Sequence, residues 1–144
     1  MQVQSDAIRE HDFWFDFYNT HSLENLLGTP EELTNILMSL WSSLCNDGLL
    51  KASLRIALQD NPSEASIEIA KERDKQALPL VERFSSSSSN PQRKKIQLAI
   101  LTAGIQYLAL HKDISPFCGI DFNDLPIEEL REALQVVIDE LDQR

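Results

Sequence analysis

The sequence predicts an all-α protein, with a single helical domain of about six helices over residues 1–144. Apolar residues recur at spacings of three and four, and runs of alternating β-branched residues are absent. The chain has only four glycines. At 144 residues, 42% of them hydrophobic, it can bury a core without disulfides or metal ions.

Three helices are predicted in the first part of the chain. The first covers residues 5–20 and contains several aromatic residues. The second begins at residues 29–32, where Thr29 can cap the helix, a proline fits its first position and Glu32 closes a capping box. Asp47 can then cap a third helix, which ends near Gln59.

Three more helices are predicted in the second part. A helix over residues 64–84 should bend at Pro79, because proline removes a backbone hydrogen-bond donor. The five serines at residues 85–89 form an exposed loop. The last two helices start near Lys95 and Ile127, and a hinge joins them.

These last two helices carry more apolar surface than a small monomer needs. The helix from Lys95 has one apolar stripe at residues 96, 99, 100, 103 and 107 and a second at 98, 101, 105 and 108. The final helix carries a heptad seam. We therefore predict that the last two helices form a four-helix dimer interface with a second copy, and the alternative is that the other helices wrap the central one in a monomer. The predicted interface residues are Leu98, Leu101, Ile105, Leu108, Leu130, Leu134, Val137 and Leu141.

Charge and cysteine content exclude several classes of protein. With 23 acidic and 13 basic residues the chain has a net charge of -10, so no nucleic-acid partner is expected for this chain alone. Cys45 and Cys118 belong to no metal-binding motif, and we expect reduced, partly buried thiols and no metal site in a cytoplasmic protein. The apolar stretch at residues 96–110 is shorter than the ~20 residues that cross a bilayer, so no membrane partner is expected.

Residues 101–134 carry a resemblance to a known family. A helix with the pattern G-x-x-x-L-A-L-H, a short loop and a closing helix resemble the C-terminal ligand-sensing and dimerisation domain of TetR/AcrR-type transcriptional regulators. The Pro-Glu-Glu helix start within residues 29–32 and the segment at residues 49–66 are similar too. The resemblance therefore covers roughly residues 20–142.

The resemblance implies a regulatory domain that forms homodimers and binds a small apolar or amphipathic effector. Family members begin with a three-helix DNA-binding region, and no segment before Ser22 resembles it, so we expect that region to be absent. DNA binding is implied for the parent family and not for these residues. Large side chains, a few of which carry a polar group that could fix a ligand's orientation, are candidates to line the effector cavity, and ordinary core packing is the alternative for each. These candidates are Trp14, Phe17, Trp41, Phe84 and Tyr107.

Catalysis is not expected. The sequence has no Gly-rich phosphate loop, no nucleophile elbow and no His-Glu metal spacing, and it implies no cofactor. The acidic pairs at residues 31–32 and 128–129 lie at helix starts, where they favour the helix dipole. The alternative to an effector-sensing domain is a ligand-free helical dimerisation or adaptor protein.

Overall fold

The computed structural model describes residues 13–59 and 61–142 and confirms the all-α fold class. These residues form seven α-helices and one 3-10 turn, at Leu23–Asn25, and contain no β-strand. The helices are α1 (Phe13–Thr20), α2 (Pro30–Asn46), α3 (Gly48–Ala57), α4 (Glu64–Gln76), α5 (Leu78–Ser85), α6 (Pro91–His111) and α7 (Ile127–Asp142). Residues 5–12 of the first predicted helix lie outside the described residues.

The capping box predicted at the start of α2 is present. The hydroxyl of Thr29 accepts a hydrogen bond from the backbone N–H of Glu32 (3.2 Å). The carboxylate of Glu32 accepts in return from the N–H groups of Leu27 (2.9 Å), Gly28 (2.7 Å) and Thr29 (3.1 Å). Gly28 adopts a positive φ of 82°, which turns the chain into the cap.

Helix α2 lies at the centre of the core and packs most extensively against α6 and α7. Its buried residues occupy more than one side of the helix, so it needs neighbours on more than one side. They are Leu33, Thr34, Ile36, Leu37, Met38, Leu40, Trp41 and Leu44. Asp47 then accepts hydrogen bonds from Leu49 and Leu50 and starts α3, as predicted.

The predicted bent helix over residues 64–84 is two helices, α4 and α5, which meet at Ala77. Pro79 lies in the first turn of α5, where its missing N–H costs little. The hydroxyl of Tyr18 in α1 donates to the carbonyl oxygen of Gln76 (2.5 Å). Helix α4 therefore ends at Gln76, three residues before the proline that the sequence indicated, and this bond joins its end to α1.

Helices α6 and α7 run antiparallel, and polar contacts join them at both ends. Lys94 at the start of α6 forms an ion pair with Asp142 at the end of α7 (3.5 Å). After α6, the ammonium of Lys112 donates to the side chain of Asn123, which donates back to the Lys112 carbonyl (2.9 and 2.8 Å). No helix among the described residues is both long and apolar enough to span a membrane.

The capping box should make part of the stability depend on pH. Partial burial acts to raise the pKa of Glu32, but hydrogen bonds from Leu27, Thr29 and Gly28 stabilise the carboxylate and the pKa falls below its ordinary value of 4.5. The stabilisation is therefore complete above the unfolded pKa and is lost as pH falls through the folded one.

We expect Glu32→Gln to lower the free energy of unfolding by about 1 kcal/mol at pH 7. Urea unfolding at pH 7 and pH 3 measures the loss, which should shrink at pH 3 because the stabilisation that a lowered pKa supplies is lost progressively once the pH falls below the unfolded pKa. The control is Glu31→Gln, which removes the same charge from the same exposed turn. An equal loss in the control, or a loss that does not change with pH, would contradict the assignment.

Candidate functional site

One face of α6 is apolar and exposed to solvent. Its residues follow one another at spacings of three and one, as on a single side of a helix. They are Ile96, Ala99, Ile100, Ala103, Gly104 and Tyr107, which we call the α6 stripe. Ile100 is 66% exposed, and no charged residue interrupts the stripe. An apolar surface of this kind is typical of an interaction site.

The exposed apolar surface continues beyond the end of α6. The rings of Tyr107 and His111 stack with their centroids 5.0 Å apart, and the ring of Phe117 lies 5.3 and 5.6 Å from them. Ile114 and Ile120 are exposed beside this group. The segment from Ile114 to Ile120, the α6–α7 turn, therefore extends the apolar face of α6.

A tight reversal shapes the α6–α7 turn. The backbones of Phe117 and Ile120 exchange two hydrogen bonds of 3.0 Å, and Cys118 and Gly119 between them have φ values of 54° and 75°. Cys118 is exposed, so the prediction of two partly buried thiols is correct for Cys45 and wrong for Cys118.

Helix α7 adds a second exposed apolar group beside its acidic residues. Ala133, Val136 and Val137 are exposed, and Val136 is exposed by 56%. The opposite side of α7 packs into the core through Leu130, Leu134 and Ile138. Both helices of the predicted interface therefore have one face in the core and one apolar face in solvent.

The predicted interface residues are mostly on the core side of these helices. Leu98, Ile105, Leu130 and Leu134 are buried in the chain's own core, and of the eight residues Val137 alone is exposed. Leu101, Leu108 and Leu141 are partly buried. These four residues contact the chain's own core, so the exposed residues of α6 and α7 are the ones free to meet a partner. The sequence showed two apolar stripes on α6 but not which of them faces α2.

The five predicted cavity residues do not come together at one site. Trp14, Phe17, Trp41 and Phe84 are buried members of the core, and Tyr107 belongs to the exposed α6 stripe. Trp41 and Phe84 also line two different surface grooves.

The first groove lies between α2 and the start of α7 and has a volume of about 420 Å³. Its lining is Met38, Ser39, Trp41, Ser42, Cys45, Asn46, Ile127 and Arg131, and we call it the α2–α7 groove. The second groove, of about 300 Å³, lies between the serine loop, the start of α6 and the end of α7. Sequence reasoning missed Arg131, whose partner Asn35 is 96 positions away in the chain.

The described residues contain no group of three His, Cys, Asp or Glu side chains that could hold a metal ion. Burial raises the pKa of the Cys45 thiol, although the charges of Lys112 and Lys51 act against that rise. A thiol with a raised pKa is a poor nucleophile at neutral pH. Cys45 therefore contributes to the α2–α7 groove as a small, weakly polar wall.

Comparison with known proteins adds no relative. No family model, no curated protein and no solved structure matches this chain. The resemblance to the TetR/AcrR sensing domain remains a prediction from sequence.

The two faces of α6 should respond differently to the loss of side-chain volume. Ile105→Ala leaves a cavity beside α2 and should lower the free energy of unfolding by about 2–5 kcal/mol. Ile96→Ala makes the same chemical change at a side chain that is 52% exposed, and should cost less than about 1 kcal/mol. Urea unfolding of dilute protein measures both losses. Equal losses would contradict the assignment of faces.

Proposed function

We propose that the chain is a homodimerising helical module in which α6 and α7 of two copies form a four-helix interface. The observation that carries this proposal is the continuous, uncharged α6 stripe on the surface of a chain with a net charge of -10. From Ile96 to Tyr107 the stripe runs for about 17 Å along the helix, at 1.5 Å per residue. An exposed apolar surface of this length gains free energy when another apolar surface covers it.

A second copy fits the α6 stripe because the stripe complements itself. A two-fold axis near the middle of α6 pairs each stripe residue with another in an antiparallel helix. Ile96 then faces Tyr107 of the second copy, and Ile100 faces Ala103. Ala99 faces Gly104, the smallest pair, at which the two backbones can approach closely. The largest side chains therefore meet at the two ends of the seam, and the smallest meet nearer its centre.

A stable dimer needs more area than the α6 stripe alone offers. A stable interface buries ~800 Å² on each partner and uses about 20–30 residues a side. The α6 stripe has six residues, so it is too small by itself. In the proposed dimer the exposed Val136 and Val137 of α7 and the exposed residues of the α6–α7 turn add to it. An ion pair between Lys94 and Asp142 links the start of α6 to the end of α7.

Dimerisation is common to both functions that the sequence predicts. An effector-sensing domain of the TetR type and a ligand-free adaptor both need a self-pairing face. We propose the sensing domain as the broader function, because the α2–α7 groove offers a place for a small ligand beside the dimerising helices. Binding of a small molecule at that groove is the property that distinguishes an effector-sensing domain from a ligand-free adaptor.

We expect the purified chain to have a mass near 33 kDa, twice the 16.4 kDa of one chain. Ile100→Lys should reduce it to that of a monomer at micromolar concentration, because an ammonium at the centre of the seam loses its water on association. Light scattering after size-exclusion chromatography measures the mass. As a control, Ile67→Lys places the same charge on α4, at another exposed isoleucine, and should leave the dimer intact.

Gly104→Leu tests the same seam without adding a charge. A Cβ at Gly104 meets no atom within 4 Å in the single chain, so the variant should fold, and its side chain should hold two copies apart. We expect at least a tenfold rise in the dimer dissociation constant, measured by sedimentation. Gly48→Leu is the matched control, since its Cβ is equally free of contacts. Unchanged association of Gly104→Leu and Ile100→Lys would refute the proposed interface.

A further inference from the structure

The α2–α7 groove is lined by apolar and neutral polar residues and by one cation. Met38 and Trp41, both buried members of the core, form part of its wall, and the half-exposed Ile127 stands on the α7 side. Arg131 is the one charged residue among the described residues that line it. A volume of about 420 Å³ lies within the ~300–1,000 Å³ typical of small-molecule sites.

Arg131 is held in place but is not neutralised. Its Nη1 donates to the side-chain oxygen of Asn35 at 2.6 Å, which fixes the guanidinium on the α2 side of α7. None of the ion pairs within residues 13–59 and 61–142 includes Arg131. A guanidinium has five N–H donors in a planar fork that suits a carboxylate. Four of those donors remain after the bond to Asn35.

The other polar groups of the groove fit the same kind of ligand. Ser42 accepts a hydrogen bond from the side-chain amide of Asn46 (3.2 Å), so the Ser42 hydroxyl still has its own proton to donate. Ser39 lies one turn before it on the same wall. Arginine and serine donors beside a tryptophan and a methionine suit a molecule with one anionic end and an apolar body.

We propose that the α2–α7 groove binds a small amphipathic monoanion, an aryl or short alkyl carboxylate, with its carboxylate on Arg131 and its apolar body against Met38, Trp41 and Ile127. A single charge is specified because the lining holds one cation and no second one that would favour a dianion such as phosphate. The proposal does not depend on dimerisation, since every lining residue belongs to one chain.

The test uses two probes with the same body, 4-phenylbutyrate and the uncharged 4-phenylbutyramide. Each is titrated at pH 7 into the ¹⁵N-labelled chain, and backbone amide shifts are followed by NMR. We expect the carboxylate to shift signals of Trp41, Ser42, Ile127 and Arg131 and to bind at least tenfold tighter than the amide, because a charged pair with arginine is the stronger interaction. Equal affinities, or no shift at these residues at millimolar probe, would overturn the proposal.

Two kinds of variant distinguish the contribution of the Arg131 charge to probe binding from the contribution of the groove's shape. Arg131→Gln should weaken 4-phenylbutyrate about tenfold and leave 4-phenylbutyramide unchanged, whereas Arg93→Gln removes the same charge from an exposed site outside the groove and should change neither. Ser42→Leu fills the groove from an exposed helix position and should abolish binding of both probes. Binding that survives both Arg131→Gln and Ser42→Leu would refute the site.

The apolar α6 stripe offers the probe another place to bind, and the experiment distinguishes the two. Repeating the titration on Ile100→Lys should leave the affinity for 4-phenylbutyrate unchanged. If Ile100→Lys removes binding, or if the shifts fall on Ile96, Ile100 and Tyr107 in the wild type, the probe occupies the α6 stripe and the assignment to the groove is wrong. Unchanged binding by a monomeric Ile100→Lys also separates this site from the proposed dimer.

Discussion

Burial of α2 is the constraint on which the arrangement of the other helices depends. Leu37 and Leu44 are almost completely buried, and Trp41 lies between them in sequence. Each such side chain contributes ~1.5–3 kcal/mol when water is removed from it. Helices α3, α6 and α7 all pack on α2, because its apolar residues are spread over more than one side. The faces that these helices turn toward α2 decide which of their residues remain in solvent.

The exposed apolar surface and the groove both follow from this arrangement. Helix α6 buries Leu98, Ile105 and Ala109, which leaves the α6 stripe on its other side. Helix α7 packs through residues that begin at Leu130, so its first turn stands partly away from α2 and Ile127 remains half exposed. The α2–α7 groove is the space left there. The way in which α6 and α7 pack on α2 therefore accounts for both the α6 stripe and the α2–α7 groove.

Local chemistry made part of the fold predictable. Thr29 with Glu32, and Asp47, mark helix starts because the side chains that cap a helix lie within three residues of the N–H groups they bind. The break lies at Ala77, two residues before the predicted Pro79, where Tyr18 of another helix also meets the end of α4.

The candidate sites were less predictable, because neighbours distant in sequence decide them. On α6 the period of the pattern showed two apolar stripes, but the positions of α2 and α5, which both pack on α6, decide which of them is buried. The cation of the groove had no local signal either, as Arg131 meets Asn35 only in the folded chain.

Net charge explains why an apolar seam, and not a set of ion pairs, suits association of this chain with itself. Two copies that each carry a charge of -10 repel one another until salt or distance screens the repulsion, over ~8–10 Å at physiological ionic strength. Surface ion pairs contribute little and are screened by the same salt. The α6 stripe contains no charged residue, so its burial adds no repulsion of its own at the point of closest approach. In the proposed dimer the acidic residues stay toward solvent, where ions can screen them, and the hydrophobic effect supplies the attraction.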